Sequence, residues 1–162
     1  MKVKILFLDD IFSTLFRVAH TEDELVWDDN WVDSIEKALT DPNDRLGVNF
    51  SLVKSGDIEN WKELVDKEKP DIILMDLYWP EQARKKYGDH KKGTKISLET
   101  LREIRKTYPV LPIIFYTILP DRKTLDTCYE SGASFFMEKI SMSIPEVHSA
   151  LKYIILYFLR KK

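Results

Sequence analysis

One cysteine, Cys128, is all the chain has, so no intrachain disulfide can form and a reducing compartment is expected. There is no excess of basic residues either. Lys and Arg number 25 against 27 Asp and Glu, a formal net charge of −2 at pH 7. General nucleic-acid affinity, which needs a basic face, is not expected. Long hydrophobic runs are also missing. Asp9-Asp10 cuts the opening apolar stretch 5–8 far too short for the core of a signal peptide. The run Ile154-Ile155-Leu156-Tyr157-Phe158-Leu159 is too short to span a bilayer. No linker, internal repeat or low-complexity tail interrupts the rest. These absences set the expectation of one cytoplasmic domain over 1–162, without membrane or direct nucleic-acid contact. At 162 residues, 44% of them apolar, such a domain has a sizeable core.

What is present is an alternation of apolar strands and amphipathic helices. Ile72-Ile73-Leu74-Met75 follows Pro70, runs straight into Asp76, and is closed by Pro80. A short β-branched run that is apolar on both faces reads as a buried strand of a covered parallel sheet. Four more strands are expected at 3–8, 48–53, 113–116 and 134–137. A helix is expected over 31–39, with Asn30 as its cap and Trp31, Val32, Ile35, Ala38 and Leu39 on one face. Further helices are expected around Ile58, Trp61, Leu64 and Val65, and after Gly93. Two more follow Pro120-Asp121, with Leu125, Cys128 and Tyr129 apolar, and the capping box Ser143-Ile144-Pro145-Glu146. The last helix places Val147, Ala150, Leu151, Ile154, Ile155 and Phe158 on its core stripe. Segment 11–29 is too long for an ordinary loop and has room for a short helix around 14–19. Segment 81–92 is polar, basic and without periodicity, so it reads as a loop. Five strand–helix alternations imply an α/β fold, a doubly wound five-stranded parallel sheet with helices on both faces.

In such a sheet the strand ends converge on the crevice where ligands bind. Four tips deliver Asp9 and Asp10, Asp76, Thr117 and Lys139. Carboxylates about 5 Å apart repel by roughly 3 kcal/mol per pair at an effective dielectric near 20. A divalent cation offsets that repulsion, and an all-oxygen ligand set favours Mg²⁺. Lys139 supplies a point charge suited to a phosphoryl group, Thr117 a hydroxyl, and a carboxylate beside a metal can act as a nucleophile.

These residues resemble the receiver domain of two-component response regulators. The likeness is carried in order by Ile5-Leu6-Phe7-Leu8-Asp9-Asp10, by Asp76 with Pro80, and by Gly93 with Ile104-Arg105. It continues through Thr117 and Gly132-Ala133…Phe136…Lys139. The resemblance implies the flavodoxin-like strand order 2-1-3-4-5. It implies that Asp76 accepts a phosphoryl group while Asp10 and the Tyr78 carbonyl hold Mg²⁺ and Asp9 helps through water. Lys139 would pair with the phosphoryl oxygens, and Thr117 with Phe136 would relay the change. The implied partners are a histidine kinase or phosphotransfer protein and a downstream protein target, and the chemistry is confined to the protein's own phosphorylation and dephosphorylation. The chain departs from the family in having Ile140 where proline usually follows the lysine and Ile118 where a small residue follows the threonine. Segments 11–29 and 81–92 enlarge two loops beside the site. As no output domain follows the last helix, a stand-alone receiver or a receiver fragment is expected.

Two rivals stand beside this reading. A haloacid-dehalogenase-like phosphatase needs a second aspartate two residues after its nucleophile, where this chain has Ile11 or Phe12. It also needs an acidic pair after the lysine, where Ile140-Ser141-Met142 stands. The other is a receiver-shaped binding module that is never phosphorylated. Among the remaining residues, His20, His90 and His148 read as surface histidines, and Trp27 and Trp31 as core anchors. Nine acidic residues in 22–44 and six basic ones in 84–95 read either as solvated faces or as two segments meeting over the site. Tyr153, Leu156 and Tyr157 lie off the core stripe of the last helix and offer a homodimer or target-docking face.

Overall fold

The computed structural model describes residues 1–42, 45–139 and 144–160. Five parallel strands form one sheet in the order β2-β1-β3-β4-β5. They are β1 (Lys2–Leu8), β2 (Asn49–Ser55), β3 (Ile72–Asp76), β4 (Ile113–Thr117) and β5 (Phe135–Glu138). The flavodoxin-like order expected from the resemblance is the one observed.

Alternation along the strands divides the core between the two sheet faces. On one face Val3, Ile5, Phe7, Ile72, Leu74, Ile114 and Tyr116 pack against α2 (Glu22–Thr40) and α7 (Pro145–Leu159). On the other, Leu6, Leu8, Ile73, Met75, Ile113 and Phe115 pack against α3 (Trp61–Glu68), α4 (Pro80–Tyr87), α5 (Gly93–Thr107) and Cys128 of α6 (Arg122–Glu130). Every residue of β3 and β4 is buried, whereas β5 is half-exposed along its length, as an outer strand must be. No helix among the described residues is long and apolar enough to cross a membrane.

Several local expectations need correction. The helix expected over 31–39 starts nine residues earlier, at Glu22. Thr21, not Asn30, caps it, in a reciprocal capping box with Glu24. Segment 11–29 therefore holds a short turn at Asp10–Phe12, α1 (Thr14–Val18) and the first turns of α2. The expected loop at 81–92 is helical for most of its length: Pro80 opens α4, Gly88 closes it at φ 70°, and a tight turn spans His90–Lys92. Its only buried side chains are Gln82 and Ala83, too few to print a helical period on the sequence. In α6 only Cys128 is buried, and Leu125 and Tyr129 face solvent. In α7 the buried stripe is His148, Leu151, Lys152, Ile155 and Leu159, rotated from the expected set, so His148 is not a surface residue. Trp31 is a core anchor as expected, but Trp27 is half-exposed. The Ser143 end of the expected capping box and the departure at Ile140 lie outside the described residues.

Candidate functional site

Each β1, β3, β4 and β5 tip contributes one part of the site, because all four strands run in the same direction. Asp9, Asp10 and Asp76 are all buried, and one carboxylate oxygen from each lies within 4.8 Å of the others. The ammonium of Lys139, itself 5% exposed, is 3.0 Å from Asp9 Oδ2. Thr117 is buried at the neighbouring tip; its hydroxyl accepts from Leu119 N–H at 3.3 Å and its carbonyl from Lys139 N–H at 2.8 Å. Four of the expected residues, Asp9, Asp10, Asp76 and Lys139, thus form one cluster with Thr117 at its edge. Phe136 is three residues before Lys139 and half-buried against the α6 side of the core, apart from the cluster.

Asp9 is held from all sides. Its Oδ1 accepts from Ile11 N–H at 3.0 Å, capping the turn that follows β1. Its Oδ2 accepts from the Tyr116 hydroxyl at 2.8 Å as well as from Lys139. The loop after Asp76 is equally constrained. Trp79 is buried and donates its indole N–H to the Asp76 carbonyl at 2.7 Å, while the Ser97 hydroxyl donates to Leu77 O at 2.6 Å. Trp79 N–H reaches Gly93 O at 3.3 Å, and a Cβ on Gly93 would sit 2.6 Å from the Tyr78 ring. Glycine is required there by close approach rather than by backbone angle. The Tyr78 hydroxyl donates to His90 O at 3.0 Å.

Burial and like charges nearby raise the cost of ionising Asp10 and Asp76. Burial, reinforced by Asp76 and Asp9, pushes Asp10 up to about 10. Burial, reinforced by Asp9, pushes Asp76 up to about 8. Burial opposes the charge on Lys139, but Asp9, Asp76 and Asp10 together outweigh it and hold the ammonium above its ordinary range. Among the described residues one cation faces these three buried carboxyl groups, so ionising all three would leave negative charge uncompensated. The donor set, all oxygen and short of positive charge, fits a hard divalent cation such as Mg²⁺.

Three contributors escaped sequence reasoning. Tyr116 carried a readable signal, since a tyrosine inside a fully buried strand needs a partner for its hydroxyl. Trp31 donates its indole N–H to the Lys139 carbonyl at 3.1 Å, and the Lys139 ammonium stands 4.7 Å from its ring centroid. Asp28, one turn earlier on α2, has its carboxyl raised by burial, with Lys139 acting against that rise and Asp9 adding to it. Ile118 follows Thr117 and is half-exposed, so it does not turn into the core. Segments 11–29 and 81–92 meet beside the site where α1 touches α4, and Ser13, Thr14, Gln82 and Lys85 line a cavity of about 290 Å³ there.

No family model matches the chain. Over 85 residues, 52% of this chain and 32% of the other, it is 26% identical to the probable C4-dicarboxylate response regulator DctR of Bacillus subtilis. Over 91 residues, 56% of this chain and 33% of the other, it is 30% identical to the transcriptional regulatory protein DegU of Brevibacillus brevis. The chain thus spans about a third of the length of these curated relatives. A CheY-like response regulator receiver domain protein from Methanospirillum hungatei superposes with a TM-score of 0.60 at 15% identity, covering 100% of both chains. Its strand order, its similar sequences and its similar structures agree: the chain has the fold of a response regulator receiver domain.

Proposed function

We propose that this chain is the phospho-accepting receiver of a two-component phosphorelay, with Asp76 as the acceptor. The observation that carries the reading is the convergence of three buried carboxylates and one buried ammonium at the strand tips. The response-regulator relatives support a signalling role rather than that of an enzyme acting on a separate substrate. The phosphodonor is a phosphohistidine of a kinase or phosphotransfer protein. In the transfer from a phosphohistidine protonated on its other ring nitrogen, the N–P bond breaks with its electron pair going to the ring, an O–P bond forms to a carboxylate oxygen of Asp76, and the imidazole leaves as the neutral ring. Asp10, Asp76 and the Tyr78 carbonyl would hold Mg²⁺, with Asp9 assisting. Bound there, the ion would offset the charge of the incoming phosphoryl oxygens. Lys139 leaves Asp9 to pair with a phosphoryl oxygen, and Thr117 turns its hydroxyl to another. Phe136 follows, changing the surface presented to a downstream protein.

In this reading residues 1–162 form a single receiver domain, and 11–29 and 81–92 enlarge its loops. The protein is cytoplasmic and contacts neither nucleic acid nor membrane directly. Tyr153 and Tyr157 are exposed on α7 and form the face offered to a second copy, while Leu156 is partly buried against the core and contributes less than expected. Intact mass after incubation with acetyl phosphate and Mg²⁺ tests the assignment. One added phosphoryl group is expected on the wild type and none on Asp76→Asn. A chain that stays unmodified with Mg²⁺ saturating would instead be a binding module of receiver shape.

A further inference from the structure

Among the described residues the cluster has one cation, and that cation is gripped at both ends by a single side chain. Trp31 is buried on α2, nearly three helical turns beyond the Thr21 cap, and reaches across to the tip of β5. Its indole N–H donates to the Lys139 carbonyl at 3.1 Å, in a bond spanning 108 residues. Its ring face stands 4.7 Å from the Lys139 ammonium, within cation–π range. Phe7 and Tyr116 pack against the same indole at centroid separations of 5.8 Å, so the ring is not free to turn away. Tyr116 completes the cage, with its hydroxyl on the Asp9 oxygen that Lys139 also contacts and its ring 5.7 Å from the ammonium.

A lysine stem is flexible and its ammonium is a compact charge that hydrates strongly. Left alone at a sheet edge, such a group samples many positions. Here the Lys139 backbone is anchored and the ammonium is walled by the Trp31 and Tyr116 rings and by the Asp9 carboxylate. Asp76, Asp10 and Asp28 lie within electrostatic reach of the ammonium beyond these walls. We infer that Trp31 is a positioning residue that fixes Lys139 over the carboxylate cluster through its ring face and its indole N–H. Trp31 bonds directly to Lys139, and its role in the cluster is exerted through that lysine. The inference rests on the phosphoryl-transfer reading for its kinetic consequence, but not for the placement of the lysine itself.

Two measurements separate these layers. The first follows the Lys139 ammonium protons by ¹⁵N-resolved NMR in the protein without phosphodonor. Held against Asp9, they are expected to exchange slowly and give a persistent signal in the wild type. Trp31→Phe keeps an aromatic wall and should retain the signal in weakened form, whereas Trp31→Leu should lose it. An unchanged signal in Trp31→Leu overturns the inference, whatever the protein does with phosphate. The second measures phosphoryl uptake from acetyl phosphate at saturating Mg²⁺. Uptake in Trp31→Leu is expected to fall on the order of tenfold to a hundredfold, the usual effect of misplacing a reacting group by about an ångström. Mg²⁺ affinity should be unchanged, and in a Lys139→Met background the leucine substitution should have no further effect. Uptake that falls together with Mg²⁺ affinity, or falls equally in the Lys139→Met background, marks a general loss of packing and overturns the positioning role. Should the wild type take up no phosphoryl group, the proposed function fails while the NMR result still decides what Trp31 does.

Discussion

At the scale of single residues, the cluster is strained by its own charge, and that has a definite pH signature. Asp10 and Asp76 lie well above the ordinary carboxylate range, at about 10 and about 8. Above about pH 4 the unfolded chain has released protons that the folded chain still holds. The stability contributed by these two groups is therefore fully present below that point and is lost as pH climbs through about 8 and then about 10. Without divalent cations, the Tm is expected to fall between pH 5 and pH 9. Mg²⁺ binding expels the same protons, so its affinity should rise with pH over that window. Calorimetry in EDTA and in Mg²⁺ at pH 5, 7 and 9 checks both trends. At pH 9, where Asp76 is ionised, Asp76→Asn removes one charge from the crowd and should raise the Tm in EDTA; it should also abolish phosphoryl uptake. Asp10→Ala should mainly weaken metal binding, which the indole of Trp79, bonded to the Asp76 carbonyl, is placed to report.

Ile118 sets a second expectation at this scale. If Asp76 is the acceptor, Ile118, half-exposed directly after Thr117, is expected to narrow the approach of water to the phosphoryl group. A barrier higher by about 1.4 kcal/mol slows hydrolysis about tenfold. Dephosphorylation of Ile118→Ala at saturating Mg²⁺ should then be faster by about that factor. An equal rate in the two proteins would remove Ile118 from the account. The residues that form the cluster were legible because each is polar at the end of an apolar run. Tyr116 and Trp31 were not, because they sit inside apolar patterns where an aromatic ring is ordinary and only its hydroxyl or N–H asks for a partner.

At the scale of elements, strand positions were readable almost throughout and helix boundaries were not. Buried strands such as Ile72–Asp76 are apolar on both faces, so nothing but core can account for them. The start of α2 is hidden because its first turns are acidic and mostly exposed, although Thr21-Glu22-Asp23-Glu24 spells a capping box. Thr21→Ala should cost about 1 kcal/mol, measured by urea unfolding. α4 is legible only through Pro80 at its first turn and Gly88 at its end, since its core contact is narrow. The loop after β2 offers a sharper test. A Cβ on Gly56 would stand 2.1 Å from the Ser13 backbone nitrogen, part of the turn that follows Asp10. Neither backbone can yield cheaply, so Gly56→Ala should destabilise by about 3 kcal/mol and displace Asp10. Reduced Mg²⁺ affinity alongside a lower urea midpoint is the expected result.

At the scale of the whole molecule, the two sheet faces differ in what they leave uncovered. Phe135 of β5 and Tyr157 of α7 are both exposed and both pack on Phe158, so the outer strand and last helix share an aromatic surface. If that surface joins two copies, sedimentation of the wild type should show a dimer that Tyr153→Glu with Tyr157→Glu reduces to monomer. Monomers in both, with and without a phosphoryl mimic, would leave α7 as a docking face for another protein or as plain surface.

The ion pair between Asp9 and Lys139 joins residues 130 apart. On a ribosome, which releases the chain from its amino end, the acidic part of the site is made long before its cation. Asp9, Asp10 and Asp76 can be brought together once three of the five strands have emerged, yet Lys139 comes only with the last strand. A nascent chain halted after β4 carries the full repulsion of the cluster with neither Lys139 nor the second anchor of Trp31. Its sheet should therefore remain loosely closed and sensitive to protease until β5 and Lys139 have emerged, unless Mg²⁺ in the cell takes the lysine's place during synthesis.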